Sequence, residues 1–270
     1  MARKRITELM PFLLPLRVWQ RNLFYQISLR LDKNKYAKEI GRLLDYEVCF
    51  EKTLMINENS GYDIKYQKNK VDNLKIISQP MNHILIHPGE TFSFCYLSYK
   101  AKGKYKEGLV LENNKIVPKK GGGICHLSNL LYYMFLQSPL DIVERHGHRV
   151  KSLPNPDKDA LEGIDATINS GWLDLKVKNN TPDIYQIVIN FTDEFMEGQI
   201  LSNKESLVSY QIINDNFKYI KKNDKIYESV EVIKITFDKN KKEIARTKLY
   251  DEVVEVTYKL PKNVKIEKEN

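Results

Sequence analysis

The chain has 270 residues and a mass of 31.7 kDa, enough for one large domain or two modest ones. With 42% hydrophobic and 29% charged residues it is not disordered, collagen-like or low in complexity, and three cysteines (Cys49, Cys95 and Cys125) are too few for a disulfide scaffold. The formal charge of +8 sits at one end: residues 1–38 carry nine basic side chains, Arg3, Lys4 and Arg5 among them, against Glu8 and Asp32, so the basic excess stops where nucleic-acid binding would need it to continue.

Pro11, Pro15, Arg17 and Arg21 interrupt the first apolar run, which argues against a secretory signal. Leu16, Trp19, Leu23, Ile27 and Leu31 recur at three- and four-residue steps and predict an amphipathic helix. Its stripe is expected to dock on its own domain; a basic helix with a tryptophan also suits peripheral membrane contact through residues 16–31. A second helix is expected over about 71–84, where Leu74, Ile77, Met81 and Ile84 share a face across Pro80. His87-Pro88-Gly89-Glu90 then forms a turn into a strand from Thr91 to Cys95.

Twenty uncharged residues separate Lys120 from Asp141, the length of a membrane span. Gly121, Gly122, Gly123 and Pro139 reduce them to a buried helix of about 14 residues through Leu127, Leu131 and Phe135, so a cytoplasmic or membrane-peripheral location is expected. Beyond Leu140 the period shortens to two: Leu173, Leu175 and Val177, then Tyr185, Ile187, Ile189 and Phe191, with Asn179-Asn180-Thr181-Pro182 as the turn of an antiparallel pair. Further strands are expected at 206–213, 226–237 and 244–259, with a hairpin tip at Asp238-Lys239-Asn240-Lys241. The class is α+β: an apolar helix with a cysteine at its N-terminus, packed on an antiparallel sheet between an N-terminal amphipathic helix and a β-rich C-terminal part.

All five histidines, with Cys95 and Cys125, fall between residues 83 and 148. Gly121-Gly122-Gly123-Ile124-Cys125-His126 delivers a cysteine to a helix start, where unpaired amides and the helix dipole favour a thiolate. Gly122 and Gly123 allow close approach of substrate and backbone. The alternative is a small buried residue at a tight strand-to-helix junction. His126 lies about 100° further round the helix and lines the site rather than meeting the sulfur.

A strand over 142–150 would place Glu144, His146 and His148 on one face, with His148 the preferred base and Asp165, at the start of the next strand, its orienting acid. Arg145 and Arg149 are candidates for substrate carboxylates or for ordinary surface and ion-pair roles. A competing zinc set would use His83-x3-His87 and His146-x-His148 with Cys95 or Cys125. Pro88 and Gly89 hold His87 in a turn and no CxxC or HExxH accompanies it, so neither metal nor cofactor is expected.

Pro88-Gly89-Glu90-Thr91-Phe92-Ser93-Phe94, Gly121-Gly122-Gly123-Ile124-Cys125, Glu144-Arg145-His146-Gly147-His148 and Gly163-Ile164-Asp165-Ala166-Thr167 resemble the successive signatures of VanW-family proteins. The resemblance covers a core of about 72–200, between a basic helical and extended region, 1–71, and a β-rich extension, 201–270. It implies glycopeptide resistance or peptidoglycan metabolism, with cysteine-dependent L,D-transpeptidation of stem peptides or their precursors, Cys125 as nucleophile and His148 as its partner. The family usually carries glutamine after the cysteine; His126 stands there, so donation to an oxyanion either passes to an imidazole or is missing. The rival is a non-catalytic accessory module binding wall precursors or another resistance protein.

Overall fold

The computed structural model describes residues 10–112, 115–155, 160–261 and 263–268; Arg3, Lys4 and Arg5 lie outside them. In chain order the elements are α1 (Leu14–Leu31), β1 (Lys35–Tyr36), β2 (Tyr46–Leu54), α2 (Ile64–Ser78), β3 (Leu85–Ile86), β4 (Glu90–Ser93) and α3 (Phe94–Ser98). The hairpin β5 (Glu107–Glu112) and β6 (Lys115–Lys120) leads into α4 (Cys125–Leu136), then β7 (Asp141–Glu144), β8 (Val150–Lys151), β9 (Lys176–Lys178), β10 (Tyr185–Phe191) and β11 (Phe195–Ser202). Three long strands, β12 (Val208–Lys222), β13 (Lys225–Asp238) and β14 (Glu243–Val256), precede the short β15 (Ile266–Lys268).

Beside the hairpin, the strands form three sheets, ordered β1-β4-β9-β7, β2-β11-β10-β3 and β15-β12-β13-β14-β8. Antiparallel pairing dominates; β1 with β4, β12 with β15 and β14 with β8 run parallel. The fold is the expected α+β arrangement, with α4 packed on β2 and β11. Gly198 on β11 permits that approach, since a Cβ there would stand 2.5 Å from Met134 Sδ. Leu127, Leu131, Met134 and Phe135 on α4 join Ile187, Ile200 and Leu74 in the core, and Phe135 meets Phe92 at 5.2 Å.

Several local expectations are corrected. The α1 stripe faces solvent, with Trp19 61% exposed, and the helix docks by the opposite face at four-residue steps. There Arg21 donates to Asn169 Oδ1 at 3.1 Å, Tyr25 donates to the buried Asp174 at 2.7 Å, and Leu29 is buried. The second helix runs over 64–78, not 71–84. Asp63 caps it by accepting from the Lys65 amide at 2.9 Å, and it ends at the C-cap Gln79, before Pro80, which has no N–H to continue the ladder. It buries the polar Gln67 and Asn73, which an apolar period does not register.

The expected strand Thr91–Cys95 stops at Ser93, whose hydroxyl accepts the Tyr96 amide at 3.0 Å and caps α3. The segments around Asn179 do not pair with each other: β9 joins β4 and β7, whereas β10 joins β3 and β11. Asn179 anchors the divergence, donating to the Ile86 and Asp183 carbonyls. Nor is 142–150 one strand; β7 ends at Glu144, pairing resumes at Val150, and Asp165 lies in irregular backbone.

Candidate active site

Two glycines with positive φ, Gly121 at 77° and Gly123 at 87°, turn the chain from β6 into α4. Gly122 between them serves packing rather than the substrate contact expected of it. A Cβ there would fall 2.2 Å from the Gly108 carbonyl carbon, its amide donates to Lys119 O, and its carbonyl accepts from Asn73. Gly123 does line the cavity in front of the helix. The first-turn amides of His126 and Leu127 are spent on the Gly123 and Ile124 carbonyls, at 3.1 and 3.0 Å.

Cys125 opens α4 with its sulfur 3.8 Å from Thr167 Oγ1 and 4.0 Å from Ile168 O. His148 approaches the sulfur from the irregular link between β7 and β8. Its Nδ1 donates to both Asp165 oxygens, at 2.8 and 2.9 Å, and its backbone amide donates to the same carboxylate, which leaves Nε2 for the thiol. Burial opposes ionisation of Cys125, but the hydrogen bond and charge of His148 outweigh it and hold the thiol below its ordinary value. Burial likewise opposes the imidazolium, and Asp165 with the Cys125 thiolate overcomes this, pushing His148 up to about 10. Asp165 is held low against its own desolvation by His148 and, more weakly, by Arg145.

The backbone carrying Asp165 is fastened to α4: Asn129 Oδ1 accepts the Ala166 amide at 2.8 Å, and Ser128 Oγ donates to the Ala166 carbonyl. Arg145 completes the fastening and is not a free cation for a substrate carboxylate. Its guanidinium donates to Glu252 at 2.8 Å and to the Asp165 and Gly163 carbonyls, between the rings of Tyr132 and Tyr250. Arg149 is exposed. His126 lies on the cavity wall, its Nε2 sharing a hydrogen bond with Thr53 Oγ1 at 2.8 Å. Burial, aided by the charge of Lys70, drives His126 down to about 3, so it is neutral at physiological pH.

The competing zinc ligands are dispersed: His87 faces Glu39, His146 faces Glu144, and the Cys95 thiol donates to Leu173 O. Among the described residues no group of three or more His, Cys, Asp or Glu side chains is arranged to hold a metal ion.

Cys125, His126, His148 and Asp165 share a cavity of about 500 Å³, whose far walls come from β2, β5, residues 150–155 and 160–165, and the tips of β13 and β14. A family model described as VanW like protein matches residues 69–201. The vancomycin B-type resistance protein VanW of Enterococcus faecalis (strain ATCC 700802 / V583) is 41% identical over 274 aligned positions, covering all of both chains. The chain belongs to the VanW family. An uncharacterized Bacillus subtilis (strain 168) protein, YoaR, is 28% identical over 150 residues, 55% of this chain and 46% of its own length. No solved structure matches the chain. The VanW match runs from within α2 to β11 and so contains Cys125, His148 and Asp165, whereas α1 and β12 to β15 lie outside it.

Two contributors to this VanW site carry no sequence signal. Thr53 is an ordinary strand residue whose partner comes from 73 positions away. Lys70 belongs to a lysine-rich helix that reads as a solvated face. Among the described residues, no helix is long and apolar enough to cross a membrane.

Proposed function

We propose that this VanW-family protein is a cysteine acyltransferase of L,D-transpeptidase type, acting on peptidoglycan stem peptides or their precursors in glycopeptide resistance. The observation that carries the reading is the Cys125–His148–Asp165 relay at the wall of a substrate-sized cavity, with the thiol lowered and the imidazole raised. In that state the Cys125 thiolate attacks an amide carbonyl carbon, and the resulting oxyanion collapses to break the C–N bond. The imidazolium gives its Nε2 proton to the departing amine, leaving a thioester on Cys125 and a neutral His148. His148 then takes a proton from an amine acceptor, giving a cross-link, or from water, giving a cut. The Enterococcus faecalis relative, named for vancomycin B-type resistance, supports the placement in resistance.

The test is mass spectrometry of the intact protein after incubation with tetrapeptide-bearing precursors. A hydroxylamine-sensitive adduct mapping to Cys125, absent from Cys125→Ala, is the expected result. Binding of the same precursors without an adduct overturns catalysis and favours an accessory module.

A second proposal, on where the protein meets its substrate, rests on α1. Leu16, Trp19, Leu23 and Phe24 are exposed on a helix that also exposes Arg17 and Arg30, a pairing of apolar and basic side chains suited to the surface of an anionic lipid layer.

A further inference from the structure

Five carboxylates line the cavity among the described residues, and every one is committed. Asp165 holds His148, Glu252 holds Arg145, Glu162 and Glu228 share Lys151, and Glu51 accepts from Gln137 at 2.6 Å. Lys52, also on the wall, lies over the Phe195 ring at 4.6 Å. Lys70 is different. No carboxylate, carbonyl or hydroxyl among the described residues partners its ammonium, which lies desolvated in the cavity wall and near enough to His126 to repel a proton there. Withdrawal from water disfavours the charge on an unpaired cation, and an arriving anion would compensate it.

Its position is fixed by the glycine turn. A Cβ on Gly123 would lie 2.3 Å from Lys70 Cγ and 2.7 Å from Cδ, so the aliphatic stem lies against the backbone two residues before Cys125. Lys70, Gly123 and Cys125 line the same cavity, so an anion held by the ammonium shares that space with a carbonyl under attack by the sulfur. The positive end of α4 adds to the same field.

We propose that Lys70 forms an anion subsite that takes the C-terminal carboxylate of the acyl donor, so that Cys125 attacks the last amide of its peptide. This rests on the acyl-transfer reading for its substrate, while the subsite itself stands on the cavity. The departing group is then an amino acid: its C–N bond breaks, its nitrogen takes the His148 proton, and its carboxylate leaves with it.

Alkylation tests the subsite without requiring turnover. Iodoacetate carries a carboxylate on the carbon the sulfur attacks, and iodoacetamide is its neutral counterpart. Rates at Cys125 are followed by peptide mapping at pH 7. The expected result is an iodoacetate-to-iodoacetamide rate ratio well above that of free cysteine, reduced about tenfold in Lys70→Met and retained in Lys70→Arg. His148 attracts anions in all three proteins and drops out of the comparison. Methionine keeps the stem against Gly123, and Lys70→Gln replaces it if the melting curve shows that Lys70→Met is unfolded. A ratio unchanged by a folded neutral variant overturns the subsite. Because no thioester is involved, failure of the precursor to form an adduct leaves this result standing, and the acyl-transfer reading alone falls.

Discussion

A thiolate–imidazolium pair exists only between the pH at which the thiol ionises and the pH at which the imidazolium loses its proton. Here the first is lowered from its ordinary value and the second lies at about 10, so the window in which the pair exists is widened at both ends. The other thiols are driven the other way: burial pushes Cys49 up to about 12, and burial with the Asp174 charge raises Cys95 further. Iodoacetamide at pH 7 should therefore label Cys125 and spare Cys49 and Cys95, with onset below the free-cysteine value of about 8.5, as read by peptide mapping. His148→Ala should move that onset upward. Asp165→Asn should bring the loss of the His148 proton down from pH 10, narrowing the plateau from its alkaline side. His126→Gln should leave the onset nearly unchanged, because His126 is already neutral and bonded to Thr53. An upward shift from His126→Gln with none from His148→Ala would reverse these roles.

At the scale of elements, the relay depends on a segment with no regular structure. Residues 163–168 are held by side chains reaching from elsewhere: Arg145, Asn129 and Ser128, with Tyr250 donating to the Gly163 carbonyl at 3.1 Å. Arg145→Met should cost about 3 kcal/mol, since it strands Glu252 and frees the Asp165 backbone, and should raise the Cys125 alkylation onset. A mutant with normal stability and onset but weakened substrate binding would return Arg145 to the substrate. The order Cys125, His148, Asp165 was legible because a glycine run before an apolar helix marks a helix start, and the remaining histidines are few. The expected strand through His146 and His148 was not formed, because alternation specifies extended backbone without saying whether a strand or side chains will satisfy it. The docking face of α1 escaped notice because Arg21 and Tyr25, which hold it, are polar. Lys70 was illegible for a related reason. Its stem is covered by a residue distant in sequence, Gly123, while the Asn69 and Asn73 amides tie α2 to the Glu107 and Lys106 carbonyls.

For the molecule as a whole, the placement of charge and the exposure of α1 point the same way. Most of the net charge of +8 lies in the first 38 residues, and the helix within them is anchored by one face only. Its other face leaves Leu16, Trp19, Leu23 and Phe24 in water, a contiguous apolar surface of the kind soluble monomers seldom leave uncovered. Vesicles containing anionic lipid should bind the protein, neutral vesicles should bind it weakly, and salt should loosen the anionic case. Trp172 is also exposed, so a Trp172→Phe background isolates Trp19, whose emission should shift to the blue on binding. Leu16→Ser with Leu23→Ser should weaken vesicle affinity at least about tenfold, because each inserted leucine contributes roughly 1.5–3 kcal/mol of apolar transfer. Tyr25→Phe is the control for docking: it removes the bond to Asp174 and should lower the melting temperature while leaving vesicle affinity intact, because Tyr25 lies on the opposite face. Vesicle binding lost in Tyr25→Phe but kept in the double serine variant would move the membrane contact off the exposed stripe. Indifference to lipid, with self-association that the serines abolish, would assign the stripe to a second copy of the chain.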